Sequence, residues 1–179
     1  MAANRTRATS APALSSRASV IPPLPRIAVG QRTAAGADLR LTITGGARHT
    51  PVTMKIVITL NARPVSGPSA ELIDETAGVQ LRMAVRSGRS YVFNNVSFPA
   101  PGTSAARVFR ITNVRVNANV LSGGGVPATP VIAATTRLTA TPPVQFSQSA
   151  PLTLATVAAR SRKTRSRGVR RKATSRRRS

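Results

Sequence analysis

The sequence predicts an all-β protein built as an antiparallel sandwich. Three observations predict it. Apolar residues alternate with polar ones at a period of two in several segments, Gly- and Pro-rich turn signals recur about every ten residues, and helical periodicity is almost absent. With seven or eight short strands and unstructured ends, the pattern fits an immunoglobulin-like or jelly-roll-like sandwich.

Residues 1–37 are rich in Ala, Ser, Thr, Arg and Pro. Pro22, Pro23 and Pro25 favour extended backbone, and the segment reads as disordered and basic, with at most a short strand near residues 27–29. The sandwich is expected over residues 38–159. In residues 39–44, Leu39, Leu41 and Ile43 alternate with Arg40, Thr42 and Thr44 before Gly45-Gly46 breaks the run. Residues 52–60 give the clearest strand, with Val52, Met54, Ile56, Ile58 and Leu60 on one face and Thr53, Lys55, Val57 and Thr59 on the other.

A loop follows at residues 61–70, marked by Pro64, Gly67 and Pro68. Residues 70–77 carry three of the four acids and suit one helical turn or a loop. Val79, Leu81, Met83 and Val85 alternate again, Ser87-Gly88 turns the chain, and residues 91–98 form a further strand ended by Pro99, Pro101 and Gly102. Residues 107–120 are long and β-branched, with Asn113 marking a bulge or bend. Gly123-Gly124-Gly125 is a break. Residues 131–140 and 152–158 are the last strands, separated by Pro142-Pro143.

The charge is extreme. The chain has 27 Lys and Arg against 4 Asp and Glu, for a formal net charge of +23. Only Lys55, Lys163 and Lys172 are lysines. Guanidinium stays charged at any working pH and holds phosphate bidentately. Such an excess repels itself unless an anion is present, so nucleic acid, anionic lipid or acidic polysaccharide is the expected partner class.

The composition changes at residue 160. Residues 160–179 contain Arg160, Arg162, Lys163, Arg165, Arg167, Arg170, Arg171, Lys172, Arg176, Arg177 and Arg178, with no acid and Val169 as the one large apolar residue. This block cannot bury enough apolar surface to offset its ordering entropy. It reads as a disordered tail that contacts a polyanion through these eleven side chains. Such contacts release counterions and position without reading bases, so binding is expected to be salt-sensitive and sequence-nonspecific. Thr164, Ser166, Thr174 and Ser175 offer phosphorylation sites that would lower the charge. The alternative role for the tail is to solvate the chain and oppose aggregation.

Catalytic chemistry finds little material. His49, the single histidine, lies in a turn between strands, where a solvated side chain is expected, and one His cannot make a multi-histidine metal site. Glu71, Asp74 and Glu75 lack a Gly-punctuated calcium loop and are expected to pair with arginines instead. No serine sits in a Gly-x-Ser-x-Gly elbow, and Gly123–Gly125 lacks the Lys-Ser/Thr of a phosphate loop. There is no cysteine, hence no disulfide or thiolate site. No enzymatic activity, cofactor, metal or small-molecule substrate is expected. No stretch is long and apolar enough for a transmembrane segment, and no signal peptide is visible. The compartment is left open: a cytoplasmic one is favoured, or a secreted one if a leader lies upstream.

Tyr91-Val92-Phe93-Asn94-Asn95-Val96, Pro101-Gly102-Thr103, the run from Arg107-Val108-Phe109-Arg110-Ile111-Thr112-Asn113-Val114-Arg115-Val116 to Asn117-Ala118, and Ala128-Thr129-Pro130-Val131-Ile132-Ala133 resemble a β-rich domain of poorly characterised secreted or surface proteins of Acidobacteria-type soil bacteria. The resemblance covers about residues 90–157, implies a β fold, and carries no activity. The basic tail departs from that pattern. Two roles follow as expectations: a non-catalytic β protein that packages or anchors nucleic acid through its tail, or a secreted or surface structural β-domain in which the tail is incidental.

Overall fold

Alternation of inward and outward side chains organises the computed structural model, which describes residues 13–28, 34–65, 69–117, 131–147 and 150–158. Fourteen strands form among these residues, and no helix. They are β1 (Leu14–Val20), β2 (Arg26–Ile27), β3 (Ala34–Ala35), β4 (Leu39–Gly45), β5 (Pro51–Leu60), β6 (Glu71–Asp74) and β7 (Val79–Met83). After them come β8 (Val85–Ser87), β9 (Ser90–Pro99), β10 (Gly102–Thr112), β11 (Arg115–Val116), β12 (Val131–Thr141), β13 (Val144–Ser147) and β14 (Leu152–Val157).

Two six-stranded sheets face each other. One runs β13-β1-β4-β10-β6-β7 and the other β2-β14-β12-β5-β9-β8, while β3 and β11 make a small separate ribbon. Both inner faces feed one aliphatic core: Leu41 and Ile43 of β4 and Ile111 of β10 meet Ile56 and Ile58 of β5 and Ile132 of β12. Phe98 of the second sheet meets Phe109 of the first edge to face, with ring centroids 5.1 Å apart, so the sheets interdigitate directly. Burial of this apolar surface is the main force holding the layers together.

The arrangement is a β-sandwich, with β1-β4-β10-β6 as neighbours in one sheet and β14-β12-β5-β9 as neighbours in the other. The chain crosses between the sheets, since β6, which flanks β10 in the first, precedes β9 of the second in sequence. The sheets are also not purely antiparallel, because β1 pairs in parallel with β13 and β2 with β14.

Several expectations are corrected. Residues 14–20 and 34–35 are not disordered but form β1, inside the first sheet, and β3, while the short strand expected near residues 27–29 is present as β2 at Arg26–Ile27. In β1 the inward positions are Leu14, Ser16, Ala18 and Val20, and Ser16 is buried with its hydroxyl donating to the Gln145 carbonyl at 3.3 Å. A serine and an alanine at inward positions hide the apolar period. Residues 71–74 form strand β6 rather than a helical turn, because Asp74 ends the strand and caps the turn after it. The expected strand at 79–85 is two edge strands. Residues 79–83 extend the first sheet, Ala84 is buried at the crossing, and residues 85–87 extend the second. Val79, Met83 and Val85 are therefore exposed instead of lying on a core face.

The bend expected at Asn113 is present: it adopts φ 58° and separates β10 from β11. A bulge that the sequence did not announce lies in β9, at Asn95 with φ 53°. Gly123–Gly125 and the whole tail at 160–179 lie outside the described residues.

Candidate functional site

The charge on the folded body is unevenly matched. Thirteen Lys and Arg side chains and all four carboxylates lie among the described residues. Three of the carboxylates are engaged by arginine, as expected for Asp74 and Glu75. Arg107 pairs with Asp74, Arg40 with Glu75 at 3.1 Å, and Arg110 with Asp38 at 2.5 Å.

Asp74 is fully buried. Its Oδ1 accepts from the backbone N–H of Thr76 at 3.0 Å and Ala77 at 3.1 Å, while its Oδ2 accepts from Arg107. The Thr76 hydroxyl accepts from the Val108 N–H at 2.9 Å and closes the turn onto β10. This carboxylate is structural, since every oxygen has a partner and none faces solvent. His49 sits exposed at φ 66° in the turn that carries the chain from β4 in one sheet to β5 in the other. Among the described residues no group of three or more His, Asp or Glu side chains comes together to hold a metal.

The eleven tail residues that sequence reasoning selected, Arg160 to Arg178, lie outside the described residues. The body nevertheless gathers cations at one end of the sandwich. Pro64 bridges Val116 in antiparallel fashion, with the Asn117 N–H donating to the Arg63 carbonyl at 2.9 Å and the Val65 N–H to the Arg115 carbonyl at 3.3 Å. Side chains alternate across such a ribbon. Val116 is buried, so Arg63 and Arg115 share the outward face.

Two more arginines join them. Arg86, on edge strand β8, donates from Nη1 to the Val65 carbonyl at 3.0 Å. Arg89, in the turn between β8 and β9, accepts at its carbonyl from the Leu60 N–H at 3.0 Å. Arg63, Arg86 and Arg89 are exposed and Arg115 is half-buried. The Arg115 guanidinium is held by Asn113, whose Oδ1 accepts from Nε at 2.7 Å.

Tyr91 lies beneath this surface and is fully buried. Its hydroxyl donates to the Arg115 carbonyl at 2.8 Å and accepts from the Arg115 N–H at 3.3 Å. Burial pushes the phenol pKa above its ordinary value, against smaller opposing effects of the hydrogen bond to Arg115 and the positive charges of Arg86 and Arg115.

Sequence reasoning missed this cluster. Arg86 and Arg89 flank the Ser87-Gly88 turn and could have been noticed there, but Arg63 and Arg115 come together only through the Pro64–Val116 bridge. No family model matches the chain, and a comparison with curated proteins gives no match.

Proposed function

We propose that this protein is a non-catalytic β-sandwich that binds nucleic acid without sequence preference, in a structural or packaging role, through the basic side chains of residues 160–179. The observation that carries the reading is the charge density of that segment: eleven Lys and Arg in twenty residues, with no acid. The body cannot neutralise it, since three of the four carboxylates in the chain are already held by Arg40, Arg107 and Arg110. Permanent guanidinium charge is suited to phosphodiester backbones, and neutralising phosphates releases condensed counterions. A non-catalytic role is supported by the engagement of Asp38, Asp74 and Glu75 in ion pairs and by the exposure of His49 in the turn between β4 and β5.

The test compares the complete chain with a full-length variant whose eleven tail cations are replaced by Ser or Gln, titrated on one DNA duplex over a range of salt. The parent is expected to lose affinity steeply with salt, by about 0.9 log unit per log unit of salt for each phosphate neutralised. The variant should bind far more weakly and with a flatter slope. Equal affinity of the two at low salt overturns the proposal.

A further inference from the structure

We propose that the folded body carries a second phosphate-binding surface, formed by Arg63, Arg86, Arg89 and Arg115 at the end of the sandwich where the described chain stops at Ala158. The inference rests on the reading of the protein as a nucleic-acid binder, and it assigns part of that binding to residues outside the tail.

Three features of the structure support it. The first is convergence. Four arginines from three separate stretches of chain are brought to one end by backbone hydrogen bonds: Asn117 to Arg63, Val65 to Arg115, Leu60 to Arg89, and the Arg86 side chain to Val65. Like charges gathered at one end raise the local potential, and the fields of Arg86 and Arg115 both reach Tyr91 beneath them. No ion pair among the described residues involves any of the four. Asp74 and Glu75 are tied to Arg107 and Arg40 at the β6–β7 turn, and Asp38 is tied to Arg110.

The second feature is orientation. Two of the guanidinium groups are anchored by one hydrogen bond each, Arg86 to Val65 and Arg115 to Asn113. A guanidinium has five N–H donors, so most of the donors of each remain for a ligand while the group is already positioned. Arg63 and Arg89 are exposed and make no side-chain hydrogen bond within the described residues.

The third feature is continuity with the tail. Thr156 of β14 lies in register with Val131, whose carbonyl accepts from Asn61 Nδ2 at 2.9 Å, and Asn61 stands two residues before Arg63. The last described residue, Ala158, is hydrogen-bonded to Ile27 at the same end. The described chain thus ends at Ala158 on the cluster's end of the sandwich, two positions before the basic segment 160–179 begins in the sequence. A strand of nucleic acid held by the tail is brought to these arginines, and the two positive regions act as one footprint at high effective concentration.

The test uses full-length chains and fluorescence anisotropy on a DNA duplex. Arg63→Ala with Arg89→Ala removes two side chains that make no described hydrogen bond, so the fold should be kept, which thermal unfolding checks. Arg63→Glu with Arg89→Glu gives a stronger perturbation at the same positions. In the parent background the double substitution should flatten the salt slope by about 0.9 for each phosphate that is no longer neutralised. In the tail-neutralised background, weak salt-sensitive binding should remain, and the double substitution should abolish it. The inference is overturned if the tail-neutralised chain shows no binding, or if the substitutions leave the slope unchanged. If the tail-neutralised chain binds as tightly as the parent and only the body substitutions weaken binding, the tail reading fails and this one stands. Binding to heparin but not to DNA overturns the inference in favour of a sulfated polysaccharide.

Discussion

The Tyr91 hydroxyl bonds to both polar groups of one residue, donating to the Arg115 carbonyl at 2.8 Å and accepting from the Arg115 N–H at 3.3 Å. The side chain comes from the inner face of β9 and fixes the two-residue strand β11. Tyr91→Phe removes the acceptor of the Arg115 N–H and leaves the Arg115 carbonyl with the Val65 N–H as donor, and should cost about 1–3 kcal/mol in denaturant unfolding.

Tyr91 also makes stability depend on alkaline pH. Burial is the main cause of its raised pKa. Folding therefore favours the neutral phenol. Its contribution is complete below the unfolded value near pH 10 and disappears as pH rises through the higher folded value. Because Tyr91 is the single tyrosine and the chain has no tryptophan, phenolate absorbance reports on it alone. The native protein should titrate at higher pH than the chain in denaturant, and Tyr91→Phe should weaken the alkaline loss of stability.

Asp74 and Arg107 form a pair in which the carboxylate is fully buried. Asp74→Ala leaves the Arg107 charge without its partner and also strips the acceptor from the Thr76 and Ala77 N–H groups. A cost of about 3–5 kcal/mol is expected. Asp74→Asn with Arg107→Met removes both charges and keeps one acceptor for the turn, so it should cost less than Asp74→Ala. Chemical denaturation of the three chains measures the order.

Gly45 and Gly88 both have positive φ, at 85° and 57°, but in different surroundings. A Cβ on Gly45 would lie 2.3 Å from the Ala13 carbonyl oxygen, whereas one on Gly88 meets nothing within 4 Å. Gly88→Ala should cost only the backbone penalty, about 1–2 kcal/mol. Gly45→Ala should cost more, because β1 must also shift. Thermal unfolding of the two variants separates the steric part from the conformational part.

Val85 and Met83 project from the free edge made by β7 and β8, with 61% and 57% of their surfaces exposed. An edge strand with apolar side chains invites pairing with another chain. Val85→Lys should change unfolding by less than about 0.5 kcal/mol and reduce light scattering in concentrated solution. Phe109→Ala, in the core, should by contrast cost about 3–5 kcal/mol.

The parts of the fold legible in the sequence are those where a long aliphatic period meets a buried face. Met54, Ile56 and Ile58 of β5 have neighbours in β9 and β12 on both sides, so alternation and burial coincide. β1 is illegible for the opposite reason: Ser16 and Ala18 fill inward positions with small side chains, and its strand partners β4 and β13 supply the rest of the apolar surface. The alternation of residues 79–85 is real but misleading, since that stretch changes sheets at Ala84 and keeps an outer edge unpaired. For the candidate site, Asp74 and Glu75 were readable as arginine partners, but which arginines was not. The Arg63–Arg115 surface was invisible because a single bridge between Pro64 and Val116 creates it.

The parallel pairings of β1 with β13 and β2 with β14 have a consequence for how the molecule is made. Each joins a segment to one synthesised long after it, and such distant pairings are slow to close. Neither sheet can be completed until residues 144–157 have left the ribosome.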